Sequence, residues 1–153
     1  MKSRALSATA LILLTPLVAL ALQTQADQVR KADLKIKSFT AGPLKITFLN
    51  FGRARFGNPD DPHFESVHPI QVKVENASDG FTTFNPRQLS FVDKANDQAD
   101  VRGLVTNQKG LSAAEDRRIA PKASITDWYD LTREVRLPAR LYYEDKLLAT
   151  IIE

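Results

Sequence analysis

Beyond residue 26 the chain alternates apolar and polar side chains, the period of a strand with one face buried. Leu34, Ile36 and Ser38 are read facing one way, with Lys35 and Lys37 facing the other. Leu44, Ile46 and Phe48 repeat the pattern around Lys45 and Thr47. Ile70, Val72 and Val74 alternate with Gln71, Lys73 and Glu75, the clearest strand of the chain. Turn chemistry follows at Asn76-Ala77-Ser78-Asp79-Gly80, then short strands at Phe81 to Phe84 and, beyond Pro86, Leu89 to Val92. Asp93 to Asp100 reads as a polar turn and Ala99 to Leu104 as a returning strand. Ser124 to Leu131 is a further strand, and Ala139–Tyr143 and Lys146–Ile152 form a hairpin turning at Glu144-Asp145. In the last strand Leu147, Ala149 and Ile151 are assigned to one face, Leu148 and Ile152 to the other, as expected of a covered strand. The capping-box pattern Ser112-Ala113-Ala114-Glu115 predicts one short helix near 113–118, limited by Pro121. Short strands between turn signals predict an all-β sandwich or barrel. Its expected core is Leu34, Ile36, Ile46, Phe48, Ile70, Val72, Val74, Leu89, Phe91, Leu141 and Ile151. Asn50 to Pro69, broken by Gly52, Gly57, Pro59 and Pro62, fits no regular element.

The first 26 residues differ in kind. Lys2 and Arg4 precede an uncharged run from Ala5 to Leu22, and small-residue exits follow at Ala19-Leu20-Ala21 and Thr24-Gln25-Ala26. That order describes a cleaved export signal, with retention as an N-terminal anchor the alternative. The expected organisation is therefore a signal peptide over 1–26 and one domain over 27–153, periplasmic or secreted, with no membrane span after cleavage. Lys2 and Arg4 also account for most of the net charge. Without them 19 basic side chains of the original 21 face 18 acidic ones, so no nucleic-acid partner is expected. Cysteine is absent, which excludes thiol catalysis, cysteine-ligated metal, a disulfide framework and a lipidated N-terminal cysteine.

Two groups of residues resemble a known family. Ile70 to Asn76, running through the turn into Phe84-Asn85-Pro86-Arg87-Gln88-Leu89-Ser90-Phe91-Val92-Asp93, is similar to the opening of exported bacterial immunoglobulin-like domains of unknown function. Ile119 to Ile125 and Leu137 to Tyr143 resemble a later strand entry and the closing strand of that group. The resemblance spans about residues 67 to 153 and implies an immunoglobulin-like antiparallel β-sandwich of seven to nine strands. It implies no catalytic residues. The chain departs from the pattern in having Lys122 where glycine is usual.

Candidate chemistry is sparse. His63 and His68 lie in an acidic stretch that offers metal ligands, but five-residue spacing places them on no common face. Ser66 is the nearest hydroxyl for nucleophilic work. Asp93 to Asp100 supplies oxygens for calcium without loop-type spacing, and a plain turn is the expectation. Asn76-Ala77-Ser78 matches a glycosylation sequon and reads better as a turn. Trp128, Tyr129, Tyr142 and Tyr143 offer a sugar-stacking surface, although only one of each adjacent pair can face outward. Basic residues crowd the N-terminal third. If Leu34 paired with Phe48 and Ile36 with Ile46, Lys37 would stand opposite Lys45, a repulsion that points to an anionic partner. Lys35, Lys37, Lys45, Arg53 and Arg55 are the candidate binding residues. The expectation is a non-enzymatic interaction or envelope-assembly module without cofactor, whose partner is an exported protein or cell-envelope component. The alternative is a glycan- or metal-binding domain.

Overall fold

The computed structural model describes residues 27–52, 67–106 and 110–153. The segment 1–26 expected to be an export signal, and Arg53, Arg55, His63 and Ser66, lie outside these residues. No helix among the described residues is long and apolar enough to cross a membrane.

The domain is all-β. In chain order the strands are β1 (Gln28–Arg30), β2 (Ser38–Ala41), β3 (Leu44–Phe51), β4 (Pro69–Asn76), β5 (Thr82–Phe84) and β6 (Leu89–Asp93). They continue as β7 (Gln98–Thr106), β8 (Gly110–Ser112), β9 (Arg117–Ile119), β10 (Ser124–Leu131), β11 (Ala139–Tyr143) and β12 (Lys146–Ile152). Among the described residues twelve strands thus replace the expected seven to nine. The surplus comes from segments of three or four residues, too short to show a period.

One sheet runs in the order β1-β12-β11-β6-β7-β10-β4-β3-β2, with β8 added to β7, while β5 and β9 form a separate ribbon. Every pairing is antiparallel except β1 with β12. Strand β7 is shared between two halves: Gln98 to Asp100 pair with β6, and Val101 to Leu104 with β10. Strands β7, β10 and β4 separate β3 from β6 along the sheet, yet the rings of Phe48 on β3 and Phe91 on β6 lie 5.8 Å apart. The sheet is therefore curled so that its halves face each other across the core.

Bulges set which side chains enter that core. Phe48 pairs with Val72 but Asn50 with Gln71, so Leu49 is the extra residue and both Phe48 and Phe51 turn inward onto Phe91. A second bulge corrects the assignment of the last strand. Leu141 pairs with Ala149 but Tyr142 with Leu147, which puts Leu148 against the core and sets Leu147 outward beside Tyr142. Strict alternation fails at both places because an inserted residue reverses the parity downstream.

Ten of the eleven expected core residues are buried; Ile36 is the exception. Residues Lys31–Asp33 form a short 3-10 turn, not a strand, and Leu34 alone plugs the core from it. In β2 the inward residue is Phe39, while Ser38 lies outside and its hydroxyl meets that of Thr47 at 2.8 Å. The expected helix near 113–118 is absent. Ser112 ends β8 with Leu104 as its partner, and Arg117 already belongs to β9. Ladder pairing on either side holds the backbone extended and overrides the local capping pattern.

Candidate functional site

The turn between β1 and β2 is the most unusual surface of the described domain. Its backbone is closed by bonds from the Leu34, Ile36 and Lys37 amides to the Lys31 and Asp33 carbonyls, at 3.1–3.3 Å. Arg30 pairs with Asp33 at 2.9 Å and Lys37 with Asp27 at 3.1 Å, bracing the turn from both ends. Buried Leu34 anchors it below. Ile36 projects at the tip with 77% of its surface exposed, between Lys35 and Lys37. Lys31 and Lys35 line a cleft of about 490 Å3 whose floor includes Leu34, Phe48 and Phe51 and whose edge includes Glu153.

The three described candidate cations, Lys35, Lys37 and Lys45, do not converge as expected. β2 pairs with β3 through Phe39 with Ile46 and Thr40 with Lys45, so Lys37 never faces Lys45. Lys45 sits roughly 10 Å further along the strand pair and has Glu75 as its neighbour on β4. The postulated repulsion is relieved by register. Lys35 and Lys37 do share the tip, joined by Lys31, which was not among the five. A local signal for this grouping was available. In Lys31-Ala32-Asp33-Leu34 the acid stands three residues after Arg30, a turn-forming pair rather than a strand pattern.

The remaining candidates are engaged in structure. His68 donates its backbone amide to Asp130 Oδ1 at 2.6 Å, and its carbonyl accepts from Leu131. Asp130 is fully buried, and its Oδ2 also receives Arg102 Nε and Nη2 at 2.7 and 2.6 Å. Arg102 occupies the extra position of the β7–β10 bulge, which aims it at this carboxylate. Asp93 closes the β6–β7 turn by accepting the amides of Ala95 and Asp97 through Oδ1. Burial pulls its carboxyl upward, but those two amides with Arg133 and Arg136 outweigh burial and hold it below the ordinary value. Asp97 is committed to Arg133 at 2.8 Å. Among the described residues no group of three or more histidines and acids is placed to hold a metal ion.

Asn76 is a buried hub. Its Nδ2 donates to the carbonyls of Gly80, Ile119 and Ala120, and its Oδ1 accepts from the amide and hydroxyl of Ser78. The sequon amide is thus used inside the fold. Tyr129 and Tyr143 take the inward positions of their pairs, packed on Phe84. Burial raises both phenol pKa values, with Asp127 adding to the effect at Tyr129. Trp128 and Tyr142 are half-buried and lie on strands of opposite halves, beside Gln71 and Ser90, so they share no trough. A second cleft, about 430 Å3, is lined by Glu115, Asp116, Arg117 and Tyr129. There Arg117 and the Tyr129 hydroxyl both bind Asp127 Oδ2, leaving those groups satisfied internally.

Fold and site together define an all-β domain with a lysine-rimmed cleft and an exposed apolar tip at one end. No family model and no curated protein matches the chain. It is similar to the crystal structure of the yjhA protein from Bacillus subtilis, at 15% identity and a TM-score of 0.49, covering 81% of this chain and 84% of that one.

Proposed function

We infer that the protein is an exported, non-enzymatic immunoglobulin-like β-sandwich that serves as an interaction or envelope-assembly module through its Lys31–Lys35 end. One observation carries the reading. Eight of the described basic side chains form ion pairs, namely Arg30, Lys37, Lys73, Arg87, Arg102, Arg117, Lys122 and Arg133. Of the described basic side chains outside these pairs, Lys31 and Lys35 are the two that border one apolar-floored cleft, with Glu153 at its edge. Two cations over apolar ground suit an anionic partner with a greasy portion. The sandwich reading draws support from the curl of the sheet. It also draws support from Lys122, whose φ of 58° is the left-handed conformation that favours the glycine usual at this point of the resembled pattern.

Capture from envelope extract of the producing cells tests the reading. The wild-type chain should retain an anionic component that the Lys31→Gln/Lys35→Gln variant loses. A Lys94→Gln/Lys146→Gln variant, altered at two other exposed lysines, should retain it. Capture indifferent to which pair is changed, or unaffected by raising salt above roughly 0.5 M, refutes it.

A further inference from the structure

We propose that the anionic partner is a lipid surface, with Ile36 as the side chain that enters it and Lys31 and Lys35 as the charges that hold it there. This deepens the reading of the Lys31–Lys35 end and rests on it. Two observations on one short turn point the same way.

The first is the form of the tip. Ile36 is exposed to 77%, far more than any other large aliphatic side chain of the described domain, on a backbone closed by its own hydrogen bonds. A rigid apolar point loses little conformational entropy on insertion. The second is its collar: Lys35 precedes it and Lys31 stands on the same turn, both outside any ion pair among the described residues, whereas Lys37 on its other side is held by Asp27. An apolar residue ringed by lysines matches the two requirements of reversible attachment to an anionic bilayer, hydrocarbon burial and attraction to the headgroups.

The absence of cysteine gives a clean test. The full chain carrying Ile36→Cys is labelled with a polarity-sensitive fluorophore and mixed with vesicles of phosphatidylcholine alone or with about one third phosphatidylglycerol. Emission should shift to the blue on the anionic vesicles only, and a label at Ala95→Cys, on the β6–β7 turn, should stay in water on both. Adding Lys31→Gln/Lys35→Gln should raise the lipid concentration needed for the shift roughly thirtyfold, the loss of two near-surface lysines. The inference is overturned by a label at position 36 that stays in water on every vesicle, or that shifts equally on neutral and anionic lipid. If capture from extract still depends on Lys31 and Lys35 in that event, the lipid assignment fails alone. If capture is also indifferent to them, both readings fall.

Discussion

Replacing Asn76 by alanine should cost the domain about 3 kcal/mol. The side chain joins three chain segments: the end of β4, the turn through Ser78 and Gly80, and the carbonyls of Ile119 and Ala120. Nδ2 carries two hydrogens and shares them among three carbonyls, at 2.6, 3.2 and 3.1 Å. Oδ1 accepts at 2.9 and 2.7 Å. The two Nδ2 hydrogens and the Ser78 amide make three full bonds, the Ser78 hydroxyl being shared with the Gly80 carbonyl, and each is worth about 1 kcal/mol net. Against a typical total of roughly 5–15 kcal/mol this is a large fraction. It corresponds to a melting-point drop of about 10 °C for a domain of this size. Urea unfolding followed by circular dichroism reads the change directly, and an unchanged slope shows that the same surface is being exposed. Asn76→Asp is the sharper control. It keeps the acceptor for Ser78 but turns a carboxylate toward three carbonyl oxygens, so it should be worse than alanine. An alanine variant that loses less than about 1 kcal/mol, or an aspartate variant milder than alanine, refutes the assignment of Asn76 as the hub.

Two further outcomes follow from the core and the turns. Gly103→Ala places a Cβ 2.8 Å from the Ser112 carbonyl oxygen, so β8 must move off β7; a loss of about 1–3 kcal/mol by thermal melting, with faster amide exchange in β8, is expected. Because the Asp93 carboxyl titrates below its unfolded value, its stabilisation is present above the unfolded pKa and lost as pH falls through the folded one. Asp93→Asn should therefore be less stable than the parent near neutrality, and the gap should close on acidification below about pH 4; a gap constant from pH 7 to 3 contradicts the titration.

β3 and β4 were legible from their alternation because one face of each is buried, and β12 from a run apolar on both faces; Tyr129 and Tyr143 are the inward members of their adjacent aromatic pairs. What alternation cannot carry is a change of phase. Leu49 and Leu148 are apolar residues indistinguishable by type from their neighbours, yet each is the inserted member of a bulge. Leu34 and Ile36 fail differently. Two apolar residues spaced by one polar residue fit a strand and also fit a turn in which the first is a plug and the second a tip. Only the ion pairs of Asp33 and Asp27 decide between them. The helix near 113–118 failed because a capping box records local preference, whereas the path of 110–119 is fixed by partners far away in sequence. Of the candidate site, the excess of lysine was visible in the chain, but the convergence of Lys31 with Lys35 depends on that same misread turn.

The placement of those lysines also separates a contact surface from ordinary protection of the sheet. β1 and β2 are the two ends of the strand order, and the turn from Lys31 to Lys37 joins them, so this end of the molecule gathers both edges of the sheet. Exposed edges invite pairing with other chains, and lysines on edge strands commonly prevent it. Protection of that kind places charge on the strands themselves and keeps apolar side chains away from water. Here β2 carries no lysine, reading Ser38-Phe39-Thr40-Ala41, and the charges sit on the turn around an apolar-floored cleft. Ile36 at the summit is the opposite of a guard, since an exposed β-branched residue raises the risk that edge charges exist to reduce. Leu34, anchored in the core two residues earlier, prevents the turn from folding Ile36 back onto the protein. Rigid support, an exposed apolar tip and lysines outside any ion pair therefore fit the proposed lipid contact better than they fit protection of a sheet edge.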